Sequence, residues 1–562
     1  VCEAGTGSPP GPVFAPWPRR LFAAKVPGMT ETRLNPLDTA WLFTESRATP
    51  NHVGGLLQFR LPDDAPRDFL RHLMAEFRQH RQFAAPWDRR LKYPFMANPL
   101  PVWVRDRSID LEYHVRHAAL PWPGGERELG ELVGRLQSTP IDLSRPPWEL
   151  TIIEGLSERR FALFVKMHHS LIDGISGMKL LQRSMATSLE ASRSLPPFWS
   201  VGMGQGHHTH HARDSEGELL PTVANSVAAA LTALRGQIDT VPHLVQAFAR
   251  LLPRLGRGPG GMALPFNAPL SVLNGRVREK RRFATQQIPM ARLRAVAHAQ
   301  GSTLNDVVLT LCGGALRRFL QERGALPAKP LTAGIPVSVR PADDEGVGNA
   351  ISFIVATLGT DIEDPLARLE AVRESVQQAK AHVQSLPRQA MLQYTLLLMA
   401  PTVLTMLTGI GGRIRPMFNV TVSNVPGPDH KLYFRGAELL AIYPASIVTH
   451  GQAINITCES YAGQMNFGFT ACHSSVPSMQ KVAVYLEESF DALERAALAG
   501  DVAAADAKPA KPSAARPARK RSTATARRPA AAKTPKPAPT HATPTKPSAG
   551  SRGTGRKAPT AR

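Results

Sequence analysis

Residues 161–165 are a short apolar run, Phe-Ala-Leu-Phe-Val, and just beyond it the chain reads His168-His-Ser-Leu-Ile-Asp-Gly174. The stretch 160–167 alternates or runs apolar as a buried strand does. Gly174-Ile-Ser-Gly-Met then opens a helical pattern that continues through Met185. A strand, a turn and a helix therefore follow one another here. The two histidines fall where the rigid strand ends, at a turn facing a cleft. The segment offers an imidazole that can take a proton, an aspartate five residues after the first histidine, and a glycine that lets a ligand approach the backbone.

The order of elements around this segment predicts a first α/β unit over residues 29–189. It holds a strand at 53–59, helices at 66–80 and 126–138, and strands at 149–153 and 161–167 about a turn at Gly155. Residues 190–275 read as a connection, polar and His-rich at Gly206-His-His-Thr-His-His211 and helical in apolar spacing over 223–255. The four clustered histidines have no carboxylate or cysteine at ligand spacing, so a solvated loop is expected and no metal. A second α/β unit spans 276–500. Thr303-Leu-Asn-Asp306 opens a helix in capping-box fashion, and Gly324 fits its C-terminal cap. A β-branched strand at 419–424 stops at Val425-Pro-Gly-Pro428. A hairpin turns about Gly463, and an amphipathic helix at 479–496 closes the unit.

Of the formal charge of +22, the stretch 508–562 carries +15 with no acidic residue, which leaves the remainder mildly basic. Residues 501–562 are Ala, Pro, Lys, Thr and Arg and cannot bury a core, so a disordered tail is expected. Its charge suits a polyanion, whether nucleic acid or anionic lipid; a solubilising appendage is the alternative. Residues 1–28 are Pro- and Gly-rich without an apolar core, and read as a disordered leader rather than a secretory signal. The four cysteines, Cys2, Cys312, Cys458 and Cys472, form no framework, which favours a reducing compartment. Residues 391–411 are Leu- and Met-rich but broken by Gln393 and Pro401. A buried or interfacial helix is expected there rather than a membrane span.

A histidine near neutral pKa can take the proton of an alcohol as it attacks an acyl group, a contribution of about 10²- to 10⁴-fold. No GxSxG motif or other serine or cysteine nucleophile motif stands in the chain, so direct transfer between two bound substrates is the natural mechanism. Several separated segments then carry a resemblance: Asn35-Pro-Leu-Asp38, Pro146-Pro-Trp148-Glu149, His168 to Gly174, Leu270-Ser-Val-Leu-Asn-Gly275, Asn305-Asp306, Pro336-Val-Ser-Val-Arg340 with Gly348-Asn349, and Asn419 to Pro428. In this order they resemble the bacterial wax ester synthase/diacylglycerol acyltransferase family, within the HHxxxDG CoA-dependent acyltransferases. Pro147 stands where the family usually has Leu, and Ser170 where it often has Ala.

The resemblance implies two chloramphenicol-acetyltransferase-like α/β domains with an active-site tunnel between them. It implies that His169 is the general base, that His168 supports it, and that Asp173 holds local structure through an arginine, with Arg340 as the candidate. Asn305, in the first turn of its helix, could meet an oxyanion or simply cap. Gly174, Asn424 and Trp148 are expected at the substrate. The donor would be acyl-CoA, a substrate rather than a cofactor, and the acceptor a fatty alcohol or diacylglycerol. Product lipid would keep the enzyme cytoplasmic, peripheral to the inner membrane or lipid inclusions, through apolar patches and basic charge. Two other readings stay open: a condensation-type enzyme acting on carrier-protein thioesters, although no carrier segment is visible, and a non-catalytic lipid-granule protein.

Overall fold

The apolar run ahead of the histidines lies at the centre of a sheet. The structure, a computed structural model, describes residues 31–34, 36–92, 101–202, 266–338, 351–384, 404–405 and 408–506. The leader, Asn35, the His-rich run, residues 223–255, Arg340, Gly348-Asn349, most of 391–411 and the basic tail lie outside the described residues.

The motif strand, Arg160–His168, pairs antiparallel with His52–Arg60 on one side and with Trp148–Leu156 on the other. Val115–Ala119 lies parallel beyond Trp148–Leu156. Phe161, Leu163 and Val165 point to one core, shared with Trp87, Trp148 and Trp199. Ala162 and Phe164 point to a second core, with Leu129, Leu132 and Val133 of the helix Glu126–Ser138. Both faces are covered, which is why this strand reads as a continuous apolar run. The one polar interior residue, Lys166, is held by Glu149 at 3.1 Å and by the carbonyls of Leu136 and Thr139, where a helix ends and a cation is favoured. The turn of this hairpin falls at Glu158 and Arg159, both with positive φ, and not at Gly155, which sits at a register shift in the preceding strand.

The second sheet has the order Ile351–Thr357, Thr332–Ser338, Val420–Val425, Ile454–Tyr461, Gln464–Cys472, Arg281–Pro289. It is mixed: Val420–Val425 runs parallel to both of its neighbours, and the other pairings are antiparallel. The hairpin about Gly463 is present. The helix Leu304–Gln321 starts with the reciprocal Thr303–Asp306 cap, and the last helix runs Met479–Asp506. A small sheet of Thr32–Arg33, Val102–Arg105 and Arg89–Leu91 completes the strands.

These are the two α/β domains expected, with one exchange. Tyr433–Phe434 and Ala437–Ala445, from the second half of the chain, extend the first sheet, with Ala437–Ala445 antiparallel to His52–Arg60. The helix Glu126–Ser138 in turn packs on the edge strand Arg281–Pro289 of the second sheet. It approaches so closely that a Cβ on Gly130 would lie 2.7 Å from the Phe283 carbonyl oxygen. The boundary between residues 29–189 and 276–500 is thus a boundary in sequence but not in the sheets. No helix among the described residues is long and apolar enough to cross a membrane.

Candidate active site

His168 ends the motif strand directly opposite His52 and is fully buried. Its Nδ1 lies 2.7 Å from Ser170 Oγ and accepts the Ser170 amide at 3.2 Å. Its Nε2 lies 3.4 Å from Glu45 Oε2. An amide can only donate, so Nδ1 is the accepting nitrogen and Nε2 carries its proton towards Glu45. Both edges of this ring are engaged.

His169 is held quite differently. Its amide donates to the Asn51 carbonyl at 2.9 Å. Its ring lies against Trp41, with centroids 4.4 Å apart and planes tilted by 30°. Trp41 belongs to the helix Pro36–Phe43, and Asn51 binds back to it, donating from Nδ2 to the Trp41 carbonyl at 2.8 Å and to Thr44 Oγ1 at 2.9 Å. The Asn51 amide donates to Glu45 Oε2, the same oxygen that faces His168. Trp41, Glu45 and Asn51 therefore form one bracket around both histidines. The side chain of His169 itself is left open: Nδ1 is buried and has no hydrogen-bond partner. Burial lowers its pKa to about 4, against the pull of Asp173, with His168 adding to the depression. Near neutral pH the ring is uncharged, with a nitrogen unclaimed by the protein, which is the state a general base needs.

Asp173 caps the helix Gly174–Arg183. Its Oδ1 accepts the Ser176 amide at 2.9 Å and its Oδ2 accepts the Ser176 hydroxyl at 2.8 Å. The arginine expected beside it, Arg340, lies outside the described residues. The φ of Gly174 is not positive, so the turn itself does not require glycine there. A Cβ there would meet no atom within 4 Å, so the helix start borders open space.

Asn305 occupies the second position of the helix Leu304–Gln321, behind the Thr303 cap, and its side chain makes no hydrogen bond among the described residues. Asn424 is partly buried on Val420–Val425, opposite Cys458. Trp148, expected at the substrate, is fully enclosed. It stacks on Trp199 at 5.6 Å and on His114 at 4.5 Å, and its indole N–H donates to the Trp87 carbonyl at 2.8 Å. An indole with no exposed surface and a satisfied N–H is a core residue, which replaces the expected substrate contact.

The helix that starts at the motif reaches the second sheet. Gln182 Nε2 donates to Glu459 Oε1 at 3.0 Å, across the seam between the domains. Glu459 is fully buried, its Oε2 has no partner, and burial pushes its carboxyl up to about 8, against the Gln182 contact. A shallow depression lies elsewhere, along Gly411–Met417 and Thr449–Gln452, and has no wall in common with His169. Among the described residues no three His, Cys, Asp or Glu side chains gather as metal ligands.

Trp41, Glu45 and Asn51 were not legible as site residues. They sit some 120 residues before the motif, and only the antiparallel pairing of His52 with His168 brings their loop to it. The nearest signal was the Asn35-Pro-Leu-Asp38 segment, whose Pro36 opens the helix bearing Trp41.

The first sheet thus ends in a histidine pair with one ring tied down and the other uncharged with an unclaimed nitrogen, an arrangement that a general base for acyl transfer can use. Residues 34–308 match the wax ester synthase/diacylglycerol acyltransferase catalytic domain and residues 347–494 the C-terminal domain of the same enzymes, so the chain belongs to that acyltransferase family. A Mycobacterium tuberculosis protein with a provisional diacylglycerol O-acyltransferase name is 43% identical over 489 residues, covering 83% of this chain and 98% of its own. The O-acyltransferase WSD of Acinetobacter baylyi is 37% identical, covering 82% of this chain and 96% of its own. The solved wax ester synthase/diacylglycerol acyltransferase of Marinobacter aquaeolei superposes with a TM-score of 0.68 at 35% identity, covering 83% of this chain and 99% of that one.

Proposed function

We propose that this acyltransferase moves a fatty acyl group from acyl-CoA to the hydroxyl of a long-chain alcohol or diacylglycerol, with His169 as general base. The observation that carries the reading is the His169 ring, neutral by burial, braced by Trp41 and Asn51, with Nδ1 unpartnered. The hydroxyl oxygen attacks the thioester carbon as its proton passes to the imidazole. The tetrahedral oxyanion then collapses, the carbon–sulfur bond breaks, and the departing CoA sulfur takes the proton back. Asn305, near the positive end of its helix, is the candidate donor to the oxyanion. His168, Glu45 and Ser170 position the turn, and Asp173 fixes the start of the following helix.

The preference among acceptors, a working place at the inner membrane or on lipid inclusions, and binding of polyanions by residues 508–562 belong to the same proposal. Purified protein, palmitoyl-CoA and either hexadecanol or diolein, with thiol release as the readout, test it. His169→Ala in folded protein should lower release by about 10²- to 10⁴-fold with both acceptors. Retained turnover would remove His169 as the base, and the product formed by parent protein from the two acceptors in competition identifies the preferred one.

A further inference from the structure

Eight large apolar side chains stand exposed among the described residues, and four of them lie on two short segments: Leu270 at 64%, Val272 at 47%, Ile410 at 39% and Ile414 at 44% exposure. The segments adjoin. The Arg276 guanidinium donates to the Gly409 carbonyl, and the Gly451 amide donates to the Gly275 carbonyl at 3.0 Å. Gly412, at φ +75°, lies so close to the Gly275–Arg276 backbone that a Cβ would come within 2.7 Å of it. These contacts bring the two segments together, with the four aliphatic side chains at the surface.

Interleaved with them are Arg276, Arg413 and Arg415, all exposed, with Arg278 and Lys280 following on the same strand approach. Segments 270–280 and 408–420 contain a single acidic residue, Glu279, and it is taken up by Arg47 at 3.2 Å. The depression bordered by Ile414, Arg415, Met417 and His450 opens in this same surface. Cations alone would suit the phosphates of CoA. Exposed aliphatic side chains set among guanidiniums that have no carboxylate partner among the described residues suit a layer that is anionic at the top and hydrocarbon beneath.

We propose that Leu270, Val272, Ile410 and Ile414, with Arg276, Arg413 and Arg415, dock the folded body onto an anionic lipid surface, independently of the basic C-terminal stretch. The choice of partner rests on the lipid-substrate reading above, but the readout is binding without turnover, so the two can fail separately.

The test is co-flotation of the full chain with phosphatidylcholine vesicles, with and without phosphatidylglycerol. It is run at physiological salt and again at about 0.5 M, where the Debye length falls to about 4 Å and the attraction of the C-terminal charges fades. Ile410→Ser with Ile414→Ser should lower partition at high salt at least about tenfold, because two inserted aliphatic chains are lost. Arg413→Gln with Arg415→Gln should cut the preference for phosphatidylglycerol at physiological salt by about tenfold or more. Parent-like partition of the isoleucine pair at high salt overturns the proposal. So does unchanged partition of the arginine pair accompanied by a several-fold rise in KM for acyl-CoA with a soluble acceptor, which would assign the surface to CoA phosphates instead.

Discussion

The two domains each bury a titratable group, and burial drives them to the same end by opposite routes. In the first domain, at the end of the motif strand, desolvation lowers His169 to about 4 and leaves a base without its proton. In the second, on Ile454–Tyr461, desolvation raises Glu459 to about 8 and leaves an acid with its proton. The surroundings differ as well. In the first site Trp41, Glu45 and Asn51 hold the two histidines, while His169 Nδ1 and Asn51 Oδ1 are buried without partners. In the second, Glu459 Oε2 and the Nδ2 of its cross-strand partner Asn466 are both buried without partners. Burial therefore favours the uncharged form of each group, the imidazole by shedding its proton and the carboxyl by keeping one.

The largest effect that sharpens this contrast is on chemistry. His169→Ala should lower kcat by about 10²- to 10⁴-fold with little change in melting temperature, read from thiol release and a thermal scan of the same preparation. Neighbouring His168 should behave the other way, because His168→Ala takes one of two partners from Glu45 and leaves the Ser170 hydroxyl without its own. It should cost about 2–3 kcal/mol of stability while turnover per folded molecule stays well above that of the His169 variant.

Glu459 should show itself in the pH dependence of stability. A carboxyl whose folded pKa exceeds its unfolded value of 4.5 keeps a proton that the unfolded chain has released. Its folded state is therefore most favoured below that value and loses stability as pH rises towards about 8. Glu459→Gln should remove a loss on the order of 3–5 kcal/mol, so that denaturant midpoints of parent and variant diverge in the variant's favour between pH 5 and pH 9. Parallel curves would mean the carboxyl is solvated.

The smallest effect concerns the bracket. Trp41→Ala admits water to the His169 ring and should move its pKa from about 4 towards the ordinary 6.5. The acid limb of kcat/KM should then shift up by about one to two pH units, and an unmoved limb would mean Trp41 does not set the ring's environment.

Local pattern was enough to read the motif strand, the Thr303–Asp306 cap, the hairpin about Gly463 and the closing helix, because each is specified by residues within a few positions of one another. What escaped depended on distant pairing. Ala437–Ala445 joins the first sheet through a partner some 380 residues earlier, and alternation along a strand says nothing about which sheet will receive it. Glu45 and Asn51 reach the histidines only through that same kind of register. Trp148 misled for another reason: a tryptophan in a family segment reads equally well as a wall of a binding site or as the centre of an aromatic cluster, and only its neighbours Trp87, His114 and Trp199 decide.

The exchanged strand also constrains how the protein can be made. Until residue 445 has left the ribosome, the His52–Arg60 edge of the first sheet has no neighbour on that side. A nascent chain therefore exposes an unfilled row of backbone donors and acceptors for most of its synthesis. Expression of residues 29–189 alone should yield a sticky, incomplete sheet rather than a separable catalytic module, and supplying 427–445 as a peptide is the natural way to rescue it.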